Sequence, residues 1–118
     1  MHIGYIKSKI KSILCNRNTR CSSDELSYNQ AMKYIKTNPE TVLLDVRSQQ
    51  EYREGHLKGS INIPLYELLV KAKIELPNKN IPIIVYCQTG HRSRKALDIL
   101  KKEEYENLYT IKGGLDEI

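Results

Sequence analysis

A chain of 118 residues with 40% apolar and 28% charged content has the composition of one soluble globular domain, long enough to bury a sizeable core. Eight tyrosines but no Phe and no Trp leave that core to Ile, Leu and Val. The net charge of +5 excludes little, because residues 1–23 hold five of the 19 basic residues and none of the 14 acidic ones; residues 24–118 are neutral and give no reason to expect nucleic acid as a partner.

The organisation reads as an N-terminal extension and linker over 1–23 and a domain over 24–118. In the extension, Ile3, Ile6, Ile10, Ile13 and Leu14 recur at helical spacing with Lys7, Lys9 and Lys11 between them. The lysines interrupt any membrane span or signal-peptide core. A basic amphipathic helix packing on the domain is the simpler expectation, and contact with an anionic membrane surface is the sharper one. Cys15 and Cys21 flank the polar linker and lack the second close pair that a zinc site needs. With Cys87 they make three cysteines, too few and too unevenly spaced for a disulfide framework, so a reducing, cytoplasmic setting is expected.

In the domain, Ser27-Tyr28-Asn29-Gln30 has capping-box spacing, and Tyr28, Ala31, Met32 and Ile35 give the helix that follows one apolar face. Asn38-Pro39 ends it. Thr41–Val46 is a mostly apolar run rich in β-branched residues, as in a strand buried on both faces. A helical turn follows over Ser48–Glu54, closing at Gly55. Ser60–Ile63 reads as a short strand ended by Pro64, and Leu65, Leu68, Leu69 and Ala72 mark a helix over 65–74. Ile83–Tyr86 is the next strand, Ser93–Lys102 the next helix and Leu108–Ile111 the last strand, before Gly113-Gly114. Strands alternating with helices imply an α/β fold with a parallel sheet covered on both faces. Ligands in such folds bind beyond the carboxyl ends of strands, where two polar clusters lie: Asp45 with Arg47, and Cys87 to Arg92.

Cys87 ends a strand, and a helix begins a few residues later. A sulfur so placed meets the unpaired N–H groups and partial positive charge of the helix N-terminus, which favour its anionic, nucleophilic form and equally a bound persulfide. Gly90 allows the positive φ of a tight loop. Arg92, and less directly His91 and Arg94, add positive charge; Arg94 reads as a surface residue of the helix. A cysteine at a strand end is more often inert core. Gln88–Ser93 contains no apolar residue, however, so the loop is expected to be exposed. No metal-ligand set, phosphate-binding glycine loop or Ser-His-Asp constellation competes, and no cofactor or metal is expected.

Asp45-Val46-Arg47, Glu51-Tyr52, Gly55-His56-Leu57, Gly59-Ser60-Ile61-Asn62-Ile63-Pro64, Tyr86-Cys87-x-x-Gly90-x-Arg92-Ser93 and Gly113-Gly114 together resemble the single-domain rhodanese family, in order, over roughly residues 26–114. The resemblance implies a five-stranded parallel sheet flanked by helices on both faces. It also implies sulfane-sulfur transfer, in which Cys87 takes sulfur from a donor such as thiosulfate or a persulfide. The Cys87 persulfide then passes it to cyanide, a thiol or a partner protein. On this resemblance Gln88, Thr89, Gly90, His91, Arg92 and Ser93 form the substrate-binding active loop, and Asp45 and Arg47 support it. Glu51 is expected to pair with Arg47 or Arg53, and His56 and Asn62 to serve as scaffold.

Three departures carry expectations. Gln88 stands where the family often has arginine, so the loop carries less positive charge and thiosulfate is a less natural donor. The family's tryptophan after the double glycine is absent, so the last helix is short or missing. The N-terminal helix is expected to supply replacement packing. Two other readings compete with sulfur transfer. A phosphatase or arsenate reductase of related fold has five residues between cysteine and arginine, whereas Cys87 and Arg92 enclose four and Ser93 stands where arginine would be needed. A non-catalytic rhodanese-like binding or redox-sensing module would not need Cys87, Gly90 and Arg92 together. The neutral body is expected to be monomeric.

Overall fold

The computed structural model describes residues 24–118. Calls on the N-terminal helix, its packing or membrane contact, and Cys15 and Cys21 lie outside the described residues. In chain order the elements are β1 (Glu25–Leu26), α1 (Tyr28–Thr37), β2 (Val42–Asp45), α2 (Gln49–Glu54), β3 (Ser60–Asn62), a 3₁₀ turn (Leu65–Glu67) running into α3 (Leu68–Glu75), β4 (Ile83–Tyr86), α4 (His91–Lys102), β5 (Leu108–Ile111) and a closing 3₁₀ turn (Gly114–Glu117). The five strands pair in parallel in the order β1-β5-β4-β2-β3. The last helix is thus reduced to one 3₁₀ turn, as the missing tryptophan implied.

Local sequence explains most boundaries. Ser27 and Gln30 close a reciprocal capping box at α1, and Ser48 and Glu51 do the same at α2. β4 is buried at all four residues, which is why it reads as an unbroken Ile-Ile-Val-Tyr run with no alternation. One layer of core lies between the sheet and helices α3 and α4, where Leu68, Ala72 and Leu76 meet Ala96, Leu97 and Leu100 above Leu44, Ile83 and Val85. On the other face Ala31, with Met32 and Ile35 beside it, covers Leu43, Ile84, Tyr86 and Ile111.

Two elements differ from the sequence reading. Four strands are visible as apolar runs, but β1 is only two residues long, Glu25-Leu26, and has no pattern of its own. It exists because its backbone pairs with Thr110 and Ile111 and because Asp24, 3% exposed, is held from α4 by Arg94 at 3.1 Å and Lys101 at 3.3 Å. Arg94 is therefore an anchor between α4 and the sheet edge, beyond the surface position read from sequence. Helix α4 begins at His91, two residues before the apolar pattern at Ser93, since Gly90 in a left-handed conformation (φ 98°) turns the chain directly into it.

The topology also fixes where the site lies. From β2 the chain moves outward to β3, and from β4 it moves the opposite way to β5, so the order reverses between β2 and β4. Open parallel sheets bind ligands at such a reversal, beyond the strands' carboxyl ends, and both polar clusters leave from these two strands. The far end of α3 is pinned by Tyr105, whose hydroxyl donates to the carbonyls of Leu76 (2.6 Å) and Ala72 (3.1 Å). Tyr105→Phe strands two buried acceptors and is expected to lower the unfolding free energy by about 1–3 kcal/mol, read by urea denaturation.

Candidate active site

Cys87 continues from the end of β4, and its sulfur sits under the loop that follows. The backbone N–H of Gly90 donates to Sγ at 3.1 Å and that of Ser93 at 3.3 Å, with the Ser93 hydroxyl 3.7 Å away. Cys87 and Ser93 are fully buried, so the expectation of an exposed loop holds only for part of it: Thr89 and His91 face solvent while the sulfur does not. The loop winds back on itself, and polar residues bury their backbone N–H groups around the sulfur in place of apolar side chains.

Asp45 and Arg47 form the second half of the site. Asp45 is fully buried and accepts from the Arg47 backbone N–H (2.8 Å), from Nε (3.1 and 3.2 Å) and from Nη2 (2.8 Å). Arg47 Nη2 also donates to the Gly55 carbonyl at 2.6 Å, and Nη1 reaches Gln88 Oε1 at 3.4 Å. Burial works against the Arg47 charge, but its hydrogen bonds and ion pair with Asp45 outweigh it and push its pKa up. Asn62 Nδ2 donates to the carbonyls of Asp45 (3.0 Å) and Arg47 (2.9 Å), locking the chain as it leaves β2. His56 stacks on Tyr52 with ring centroids 3.7 Å apart and lies outside the loop.

Glu51 pairs with neither Arg47 nor Arg53. Its carboxylate takes both terminal nitrogens of Arg92, at 2.7 and 2.9 Å. Arg47 is committed to Asp45, and the capping box turns the Glu51 side chain toward its own helix N-terminus, facing the loop. The Arg92 guanidinium lowers the Glu51 pKa to about 2. Arg92 is raised in turn, first by that hydrogen bond.

The closing turn completes the site from the other side. The N–H groups of Leu115 and Asp116 donate to the carbonyls of Cys87 (3.0 Å) and Gln88 (2.9 Å). A Cβ on Gly114 would lie 2.7 Å from the Gln88 carbonyl group and closer still to that of Cys87, and its φ is +64°, so glycine is required twice over. Gln88 Nε2 donates to the Asp116 carboxylate at 2.7 Å. Sequence reasoning took Gln88 only as a lost charge and passed over Asp116. The one available signal was an acidic residue two positions after the double glycine.

A family model, "Rhodanese-like domain", matches residues 27–118. The chain belongs to the rhodanese-like family. The thiosulfate sulfurtransferase PspE of Escherichia coli K12 is 37% identical over 75 residues, 64% of this chain and 71% of PspE. A solved "rhodanese with anions from E. coli" superposes with a TM-score of 0.60 at 36% identity, covering 66% of this chain and 91% of that one. The family also carries other activities: the tRNA uridine(34) hydroxylase of Photorhabdus laumondii is 32% identical over 84 residues, but the rhodanese-like chain spans only 24% of its length. Among the described residues there is no group of three or more His, Cys, Asp or Glu able to hold a metal ion, and no helix long and apolar enough to cross a membrane.

Two outcomes follow for this rhodanese-like site. Gly114→Ala is expected to cost several kcal/mol of stability, about 2–4, because the clash is with backbone and the φ is left-handed; thermal unfolding measures it. Glu51 has a lowered folded-state pKa, so its contribution is complete above the unfolded carboxylate range and is lost as pH falls from about 4.5 toward about 2. Glu51→Gln should flatten the acid limb of a stability–pH profile in that window and leave its shape near neutral pH unchanged.

Proposed function

We propose that this protein is a sulfurtransferase in which Cys87 carries sulfur as a persulfide. The observation that supports the reading most is the pair of backbone N–H groups, from Gly90 and Ser93, aimed at Sγ where a strand passes into a helix N-terminus. Such a cradle stabilises a sulfur anion, either the thiolate before reaction or the persulfide after it. Thr89 and His91 rim the loop, and Gln88, Gly90 and Arg92 lie partly open to solvent. Arg92, held in one orientation by Glu51, sits where the donor's leaving group would pass.

The chemistry needs two displacements. The Cys87 thiolate attacks the outer sulfur of a donor X–S⁻; the Cys87 S–S bond forms, the bond between sulfur and X breaks, and X leaves with its electron pair. For thiosulfate X leaves as sulfite. An acceptor thiolate or cyanide then attacks the outer sulfur of the persulfide, and Cys87 returns to its thiolate. No external oxidant or reductant is consumed and no cofactor takes part. Asp45 and Arg47 are read as holding the loop, with no role in the displacements. The acceptor is a small nucleophile or a partner-protein thiol, the working state is a monomer, and a reduced, cytoplasmic setting suits the thiol.

After incubation with a sulfane-sulfur donor, intact mass spectrometry is expected to find one added sulfur, about 32 Da, on the wild-type chain and none on Cys87→Ala. Cyanide should remove it with release of thiocyanate. A chain that never acquires Cys87-bound sulfur from any donor would instead be a rhodanese-like binding or redox-sensing module. Rapid hydrolysis of p-nitrophenyl phosphate would favour the phosphatase reading.

A further inference from the structure

The charge around the Cys87 loop is already matched. Both guanidinium groups that touch the loop's surroundings have a carboxylate of their own: Arg47 has Asp45 at 2.8 Å and Arg92 has Glu51 at 2.7 Å. Arg94, one turn into α4, is shared between Asp24 and Glu25. Gln88 then bridges the Arg47 guanidinium and the Asp116 carboxylate, so the residue next to the nucleophile links a spent cation to an anion. Asp116 itself meets only a neutral amide in that bond, and its negative charge stands at the rim of the loop. A dianion approaching the sulfur finds no unpaired guanidinium and one facing carboxylate.

Beside the loop lies a pocket of about 220 Å³ lined by Val46, Ser48, Pro64, Leu65, Tyr66 and Arg92. Val46 follows the last β2 residue, its N–H donates to the Tyr86 carbonyl at 3.1 Å, and it shares a core cluster with Cys87. The walls are thus mostly apolar, and Val46 and Arg92 border the nucleophile's loop. An inorganic donor has nothing to place there. An organic group does, with a single charge directed at Arg92.

We propose that the donor is a singly charged sulfane-sulfur compound with an apolar organic group, an organic persulfide or a thiosulfonate, and that Asp116 with Gln88 disfavours dianionic thiosulfate. The organic group occupies the Val46–Pro64–Leu65–Tyr66 pocket. The inference rests on the persulfide reading given above. In the reaction the Cys87 thiolate takes the outer sulfur, and the organic thiolate or sulfinate leaves with the electron pair, so charge and electrons balance.

The test uses the full chain and three donors, thiosulfate, methanethiosulfonate and benzenethiosulfonate, with single-turnover loading of Cys87 followed by intact mass and Cys87→Ser as the blank. Benzenethiosulfonate is expected to load fastest and thiosulfate slowest. Asp116→Asn should speed thiosulfate loading about two- to fivefold at low salt and affect the monoanions less, with the gain shrinking as salt screens the charge. Tyr66 is 77% exposed, so its replacement spares the core. Tyr66→Ser should lower the benzene-to-methane rate ratio, a quantity from which the donors' intrinsic reactivities cancel between the two proteins. Thiosulfate loading unchanged in Asp116→Asn, or a ratio unchanged in Tyr66→Ser, would overturn the inference while leaving sulfur transfer intact. No loading from any donor would overturn the sulfur-transfer reading and this inference with it.

Discussion

The buried pair of Asp45 and Arg47 is the contact on which the rest of the site hangs. A fully buried carboxylate with no partner would be very costly, and removing one member of such a pair typically costs about 3–5 kcal/mol. Here the pair is fully hydrogen-bonded, and Arg47 has donors left over. It uses them on the Gly55 carbonyl at the end of α2 and on Gln88 in the loop. One guanidinium therefore ties the end of β2, the segment after α2 and the residue next to Cys87 into a single unit.

The loop itself is held at three points by independent means. Arg92 is fixed by Glu51, the backbone of Cys87 and Gln88 is bonded by Leu115 and Asp116, and Gly90 packs against Gly113, whose backbone nitrogen would lie 3.4 Å from any Cβ placed there. This is how a chain with no final helix still keeps its loop rigid: the 3₁₀ turn after the double glycine bonds directly to the loop's carbonyls. The same turn brings Asp116 to the rim, so a structural solution to a short C-terminus also alters the electrostatics that a donor meets.

Much of this was legible in sequence because it is local. The capping boxes, the all-apolar β4, the Gly90 turn and the Cys87-to-Arg92 spacing each lie within a few residues, where covalent geometry leaves few choices. The partner of Glu51 was not legible, since Arg92 is 41 residues away and nearer arginines were available. β1 was not legible either, because two residues carry no period. Its place depends on backbone pairing with β5 and on side chains of α4.

By itself the sequence determined the family, the alternation of strands and helices, the identity of the nucleophile and the length of its loop. These follow from residue type and from spacing along the chain. Only the tertiary structure decided how charge is distributed at the site. It assigned Arg47 to Asp45, Arg92 to Glu51 and Arg94 to Asp24, and set Asp116 against Gln88, because ion pairing depends on which strands and turns become neighbours across the β2–β4 reversal. A count of basic residues near Cys87 gives a cationic loop; the folded chain has a neutral one with an acidic rim.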